Sequence, residues 1–510
     1  MGTVIVRGRE LTGDVALDVD AVVVGTGAGG SVMLRELARA GARVVALEEG
    51  GHHTTKDFDQ REDRMLPLLF QDGGGRATED LAIRVLQGRG VGGSTVHNTN
   101  LCKRTPDAIL DLWAAKHHVS GALPADMREA FETIERDLNV SEIPIDFRNA
   151  NNRVLERGAA ALGWRAGPLE HNRQGCALSG FCELGCAYDA KQNALKVLIP
   201  QAEAKGATVY ADVRALRVLH DGARVSGVEA IALDANGGAH AKVQVRARVV
   251  VLAGSAVGSA VLAHRSALPD PHAQLGLRLR MHPGAAVAGR FDDDIDGHRG
   301  IPQSYECTEH LSFDEGSDKR VWIVPAFAHP IGFASALPSF GAAHMTAMRQ
   351  FRRLAVLSAV VHDETSGEVR ADDEGRAIIS YKMTEGDRAQ LAKGLAACAR
   401  LLFAAGAREV TIPAIPPVRL TSMKDLDALD FSFVRPHALP LTAVHPMGTL
   451  RMGDDPRGAV VDSTGEHHRV KGLFVADGSL FPTSLGGPPQ ISIYAFAYHL
   501  SRHVIARVRG

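Results

Sequence analysis

The sequence predicts an α/β fold: a Rossmann-like dinucleotide-binding domain, with a βαβ unit and a parallel sheet, carrying an inserted antiparallel-sheet domain backed by helices. Three observations predict it. Residues 21–50 run as an apolar strand, a glycine-rich turn, an amphipathic helix and a second apolar strand. Residues 88–94 make a second glycine-rich run, GRGVGGS. Residues 271–440 change texture, with short strand-like runs, many aromatics and methionines, and one clear helix over 386–404. This divides the chain into a discontinuous dinucleotide domain, 1–270 with 441–510, and a substrate domain, 271–440. A helical and cysteine-loop cover lies over the first at about 107–195.

The first of these stretches is AVVVGTGAGGSVMLRELARAGARVVALEEG. Ala21–Val24 form a buried strand. Gly25, Gly27 and Gly30 have the G-x-G-x-x-G spacing. Gly25 makes the tight turn, Gly27 admits a pyrophosphate to the backbone, and Gly30 lets helix and strand pack closely. The helix N-terminus presents free N–H groups and the positive end of its dipole to that anion. Val32, Met33, Leu37 and Ala40 line one face of the helix. Glu48 ends the second strand 18 residues past Gly30, near the position of a carboxylate that bonds ribose hydroxyls. This motif does not distinguish NAD from FAD. The second glycine run, with Gly90, Gly92 and Gly93, implies a long cofactor touched at two places and favours FAD.

Composition narrows the function. The 510 residues carry a net charge of −2, with 57 basic and 59 acidic side chains. Nothing in that balance points to nucleic acid or an anionic membrane as partner. Six cysteines in a chain this long make no disulfide scaffold. The N-terminus lacks a long apolar run, and the longest apolar stretch, 249–263, is too short to span a bilayer and is broken by glycine and serine. A cytoplasmic protein without a transmembrane segment is expected. No G-x-S-x-G elbow and no phosphate loop ending in Gly-Lys-[Ser/Thr] occurs, so hydrolase and kinase functions have no support.

Residues 107–165 place apolar side chains at helical spacing, as two or three helices. Residues 175–191, GCALSGFCELGCAYDAK, hold half of the cysteines. Cys176, Cys182 and Cys186 admit three assignments. They are structural thiols, the favoured one, or ligands of an iron–sulfur cluster, or part of a zinc site that lacks an obvious fourth ligand. His52 and His53 are adjacent and read as a solvated turn. The acid run Asp292–Asp296 reads as a hairpin tip, since no glycine-turn ligand loop surrounds it.

Four blocks together resemble the glucose–methanol–choline (GMC) oxidoreductase family, and its long-chain alcohol oxidases in particular. The first is the loop Gly88, Gly90, Gly92, Gly93, Ser94, followed by Asn98 and Arg104–Pro106. The second is the strand–turn–helix over 247–268, with Gly254 and Ser255 at the turn. The third is VHPMGTLRMG at 444–453, and the fourth is VVDSTGEHHRVKGLFVADGSLFPT at 460–483. The resemblance implies FAD, with Gly92, Gly93, Ser94 and Asn98 along flavin and pyrophosphate, Val213 at the adenine, Gly254 against the dinucleotide, and Asp477 and Gly478 at the diphosphate and ribityl chain. His97 stands where some members attach FAD covalently. Some flavin dehydrogenases of the family carry a [3Fe–4S] cluster.

His445 falls on the family's active-site histidine. The implied reaction is oxidation of a hydrophobic alcohol, long-chain or sterol-like, with His445 as base and the hydride passing to flavin N5. Oxygen or another carrier takes the electrons. The pattern then breaks: Pro488 occupies the place of the second catalytic Asn or His and offers no side-chain donor or acceptor. Gln490 is the geometric substitute. The break keeps open an alternative, a flavoenzyme of the same fold acting as lyase, isomerase or decarboxylase. An electron-transfer subunit working through the cysteine loop also stays open.

Overall fold

The computed structural model describes residues 5–337 and 339–510. Two large sheets organise it. The first runs Ile5–Arg7, Thr208–Ala211, Val44–Leu47, Val15–Val24, Ala239–Leu252, Val225–Leu233, Val213–His220, and Leu473–Val475 pairs with Ala239–Leu252 beside this path. Its middle is parallel: Val22 lies opposite Val45 on one side and Val250 on the other. Ala21, Val22, Val23, Val249, Val250 and Val251 are fully buried. Such a continuous apolar run marks a strand covered on both faces.

The helix Ala28–Arg39 starts at Gly27, as expected. Val32, Met33 and Leu37 are fully buried, and this helix packs against the C-terminal helix Gln490–Arg509. Three helices, Asp107–His117, Pro124–Asp137 and Ala150–Leu162, fill the segment read as helical cover.

The second sheet is largely antiparallel. Its order is Val418–Leu420, Glu409–Ile412, Gly284–Arg290, Leu354–Val361, Val321–Pro325, Tyr305–Cys307, Ala166–Pro168. Along Leu354–Val361 the alternate residues Ala355, Leu357, Ala359 and Val361 are fully buried, as a period of two requires for a one-sided sheet. The face is covered by the helix Glu385–Ala404, whose Leu391, Leu395, Cys398 and Leu402 join the same core. Leu441–Ala443 pairs with Gly284–Arg290 and, in parallel, with Ile83–Val85. Segments assigned to the dinucleotide domain, around 84, 167 and 442, therefore also enter the second sheet. The two sheets are knitted together by chain segments that alternate between them.

The acid run Asp292–Asp296 is an ion-paired surface turn: Asp292 pairs with Arg408, and Asp294 and Asp296 pair with Arg352. Among the described residues no helix is long and apolar enough to cross a membrane.

Candidate active site

The glycine cradle is built from backbone. Gly25 has φ +98°, and a Cβ there would collide with the Ala253 carbonyl. A Cβ on Gly30 would collide with the Gly25 carbonyl, which is the close helix–strand approach expected of the third glycine. Gly27 differs: a Cβ on it would meet only the Gly93 Cα, at 3.9 Å. The space it leaves lies between the two glycine runs and over a helix N-terminus that no side chain caps. The first N–H groups of that helix have no partner within it, so the cradle fits a pyrophosphate.

Glu48 ties the cradle together. Its Oε2 accepts from Thr26 N (3.1 Å) and Thr26 Oγ1 (2.8 Å), and its Oε1 accepts from Gly50 N (3.0 Å) and Gly90 N (3.2 Å). Thr26 Oγ1 also accepts from Gly92 N at 3.1 Å. Burial pushes the Glu48 carboxyl up to about 7, against the pull of those donors. The residue assigned to a ribose thus also clamps the first glycine turn to the second. Ser94 Oγ accepts from Gly88 N (2.8 Å) and closes the second turn. Val213 is fully buried, and its N–H donates to the Glu48 carbonyl at 2.8 Å.

Gly254 and Asp477, far apart in sequence, meet. Gly254 N donates to Ser259 Oγ (2.9 Å), and Ser259 Oγ donates to Asp477 Oδ2 (2.6 Å). Asp477 Oδ1 accepts from Ser479 N at 2.8 Å. The Gly478 carbonyl accepts from Gly448 N (3.0 Å), so the turn that closes the cradle also braces the segment carrying His445.

His97 is buried, with its ring 4.0 Å from that of Phe70 and its Nε2 without a hydrogen-bond partner. Burial, with help from the Lys191 charge, pushes its pKa down to about 3. Its ring nitrogen is therefore a free lone pair or a free N–H, and not a cation. Lys191 reaches three carbonyls, of Val96 (2.9 Å), Asn98 (2.5 Å) and Cys182 (2.9 Å). It fastens the cysteine loop to the chain on both sides of His97.

The cysteine loop surrounds a small cavity lined by Cys176, Cys182 and Cys186 together with Arg173 and Lys191. Cys176 Sγ accepts from Arg173 Nη1 at 3.4 Å, and Cys186 Sγ from Ala190 N at 3.3 Å. Burial pushes the Cys182 thiol up. All three are free thiols, and among the described residues no group of three or more His, Cys, Asp or Glu could hold a metal ion.

Gln490 makes its hydrogen bonds to partners other than His445. Gln490 Oε1 accepts from Asn98 Nδ2 (2.6 Å), and its Nε2 donates to the Leu101 carbonyl (2.6 Å) and Asn172 Oδ1 (3.3 Å). Its carboxamide holds Asn98 in place. Pro488 lines a cavity of about 380 Å³ with Lys103, Leu311, Phe313 and Gly486.

The partner of His445 is His282, which sequence reasoning missed. Their Nδ1 atoms are 3.2 Å apart, with the rings nearly perpendicular at 84°. His282 is 2% exposed, whereas His445 is partly accessible. Burial pushes His282 down to about 3 and His445 well below its ordinary value, so both rings are neutral. His282 sits at φ +50°, and its N–H and that of Met281 are held by Asp363 at 3.2 and 3.0 Å. Tyr381 and Ser484 donate to the same carboxylate. Arg280 and Met447 exchange backbone hydrogen bonds of 2.9 Å, which sets the two His-Pro dipeptides side by side. That dipeptide was the available signal, diluted by a third copy at His329–Pro330.

The family model for GMC oxidoreductases matches residues 66–284 and 363–497. An uncharacterized GMC-type oxidoreductase of Mycobacterium tuberculosis is 36% identical over 497 residues, covering 96% of this chain and 76% of the relative. A long-chain-alcohol oxidase of Arabidopsis thaliana is 29% identical over 509 residues, covering 95% and 67%. Among solved structures, pyridoxine 4-oxidase from Mesorbium loti superposes with a TM-score of 0.73 at 19% identity, covering 95% of this chain and 98% of that one. Formate oxidase superposes at 0.72 and 15% identity, covering 97% and 99%. The structural likenesses show the fold.

Proposed function

This chain belongs to the GMC oxidoreductase family, whose members bind FAD, and on that premise we propose that it oxidises the hydroxyl of a hydrophobic alcohol, long-chain or sterol-like, to a carbonyl. The observation that carries this reading is the Asp477–Gly478 turn. Through Ser259 it reaches Gly254 in the cradle, and through Gly448 it reaches the segment that carries His445. A dinucleotide whose pyrophosphate lies over Gly27 then has its far end directed toward that histidine.

The residues of the chain divide the work. Gly25, Gly27, Gly30, Gly92, Gly93 and Ser94 admit and bind the diphosphate, Glu48 and Val213 flank the adenosine end, and Asp477 and Gly478 close the site. Asn98, held by Gln490, would be among the residues that hold the flavin. A flavin bound there supplies the acceptor for the hydride of the substrate carbon. His445, the accessible ring of the histidine pair, meets the substrate oxygen. Leu311, Phe313, Leu485 and Pro488 give the neighbouring cavity an apolar wall, and Phe313 packs edge-on against His362 beside the pair. The same cavity also carries Lys103, Arg104, Arg165 and Asp314, so the support for an apolar substrate is the similarity to long-chain-alcohol oxidases.

His97 is proposed as the covalent attachment point. Its unpartnered, uncharged Nε2 supports this, because a nucleophilic ring needs a free lone pair. If the link forms, acid-precipitated protein keeps its yellow colour and His97→Leu releases it to the supernatant. The cysteine loop is proposed as structural, through its tether to Lys191, and protein purified without oxygen is expected to hold no iron or acid-labile sulfide.

The deciding experiment is anaerobic mixing of the purified flavoprotein with a panel of alcohols graded by chain length and ring content. Bleaching of the flavin by the longer apolar alcohols supports the proposal. A flavin that no alcohol bleaches sinks it and leaves the lyase, isomerase or decarboxylase alternative. Admission of air afterwards separates an oxidase, which recovers colour quickly, from a dehydrogenase.

A further inference from the structure

The geometry points to His282 as a positioning residue that locks His445 in one tautomer, with the proton on Nε2, so that His445 meets the substrate oxygen as a hydrogen-bond donor. The inference rests on the proposed function for its substrate, but its structural half does not. The ring Nε2 of His282 faces two backbone N–H groups, of Leu485 and Gly486, each at 3.2 Å. Two donors aimed at one ring nitrogen require a lone pair there. A neutral imidazole carries its single proton on the other nitrogen, so His282 Nδ1 bears the hydrogen. That hydrogen points along the 3.2 Å line to His445 Nδ1, which must accept it. The remaining proton of neutral His445 is then on Nε2, the nitrogen left free of protein partners.

The arrangement also resists a second proton. Protonating His445 Nδ1 sets two N–H groups against each other, and protonating His282 Nε2 sets one against two amides. Lys and Arg charges do not act directly on the pair. Asp363 is spent on the Met281 and His282 amides, Tyr381 and Ser484. Arg280 donates to the Thr365 carbonyl, and the remaining close titratable ring is His362, 6.3 Å from His282.

His445 then differs from the base that the family resemblance implies. Its Nε2–H binds the substrate oxygen and stabilises negative charge on it, as a fixed donor aimed at a developing oxyanion does. The hydroxyl proton passes to solvent water as the hydride leaves, and the Nε2–H bond stabilises the negative charge that develops on the oxygen in between. The C–H bond breaks with its electron pair going to the flavin, and an oxygen lone pair becomes the second C–O bond. Pro488, which offers neither donor nor acceptor, is compatible with this scheme because the second histidine acts behind the first and not beside it.

Two variants separate the two edges of the His282 ring. His282→Asn keeps a donor near the Nδ1 position and loses contact with the amides. His282→Gln keeps an acceptor near the Nε2 position and loses the donor to His445. The primary readout is the tautomer of His445 in holoenzyme labelled with ¹⁵N in its histidine rings, assigned by difference from His445→Gln. Expected is the Nε2–H neutral pattern in the wild type and in His282→Asn, and a mixture of tautomers in His282→Gln. An Nδ1–H or doubly protonated ring in the wild type at neutral pH overturns the inference, as does an unaltered Nε2–H tautomer in His282→Gln. With an alcohol that reduces the flavin, His282→Gln is expected to slow kcat by roughly 10²-fold with little change in KM, and His282→Asn to run at least tenfold faster than it. The reverse order would mean that His282 only anchors the Leu485–Gly486 loop. Flavin content and thermal unfolding of each variant control for misfolding. If no alcohol reduces the flavin, the proposed function fails while the tautomer result stands by itself.

Discussion

In the cradle around Gly25–Gly30 the working groups are backbone amides, whereas at His282–His445 they are two ring nitrogens. The turn at Gly25–Gly30 comes from one continuous stretch and needs the absence of side chains. The histidine pair comes from segments 163 residues apart and needs two side chains held at a set distance and angle. The first is specified by local turn chemistry, and its faults are steric. The second is specified by the register of two distant segments, and its faults are electrostatic. On the proposed function, a cofactor-binding motif and a reaction centre would thus meet in one site with different tolerances to change.

The largest expected effect lies at the reaction centre. His445→Ala should slow anaerobic flavin reduction by roughly 10²–10³-fold while the purified protein keeps its flavin. Loss of both together would mean that the histidine also belongs to the cradle. Next is the fastening between cradle and cysteine loop. Lys191→Met leaves the carbonyls of Val96, Asn98 and Cys182 without their donor. A buried group left unpaired costs about 1–3 kcal/mol, and the denaturant midpoint should fall accordingly. Gly30→Ala drives a Cβ into the Gly25 carbonyl and to 3.1 Å from the Ala253 side chain. Such overpacking costs about 1–3 kcal/mol. It should lower flavin occupancy without changing the rate of the molecules that still hold flavin, which would confirm that cradle and centre fail separately.

The most gradual effect is a slope, small at any one pH step. His97 is held neutral in the fold with a pKa of about 3, against an ordinary value of 6.5. Between those values the unfolded chain binds a proton that the folded one does not. The stability is complete above the ordinary value and is lost as pH falls toward the folded one. Each pH unit in that window removes about 1.4 kcal/mol per such group. In protein freed of flavin, His97→Leu should flatten the acid limb of the unfolding curve by that much, measured by denaturant titration at a series of pH values.

The same contrast decides what the sequence discloses. Gly25, Gly27, Gly30 and Glu48 are legible because a turn, a helix start and a strand end occupy fixed offsets. The helix Ala28–Arg39 and the strand Val44–Leu47 follow from them. The strand Leu354–Val361 is legible because alternation is local too. His445 and Asp477 become legible only through resemblance, since nothing nearby in the chain explains them. His282 was not legible: a His-Pro dipeptide carries no information about which other His-Pro it will face. Gln490 was assigned beside His445 from its place near Pro488, but a side chain at a helix start is aimed by the helix, and this one reaches Asn98 and Leu101. Proximity in sequence is a poor guide where a loop turns into a helix.

Gly29, unremarked in the motif, shows one more consequence. A Cβ on it would collide with the carbonyl of Ala476, next to a strand that joins the first sheet from the other end of the sequence. The two walls of the cradle are thus drawn from stretches far apart in the sequence, the glycine turn and the segment around Ala476. The turn alone carries the recognisable motif, but the carbonyl that closes over it comes from the distant segment, so a chain cut short of Ala476 would keep the motif and lose that wall.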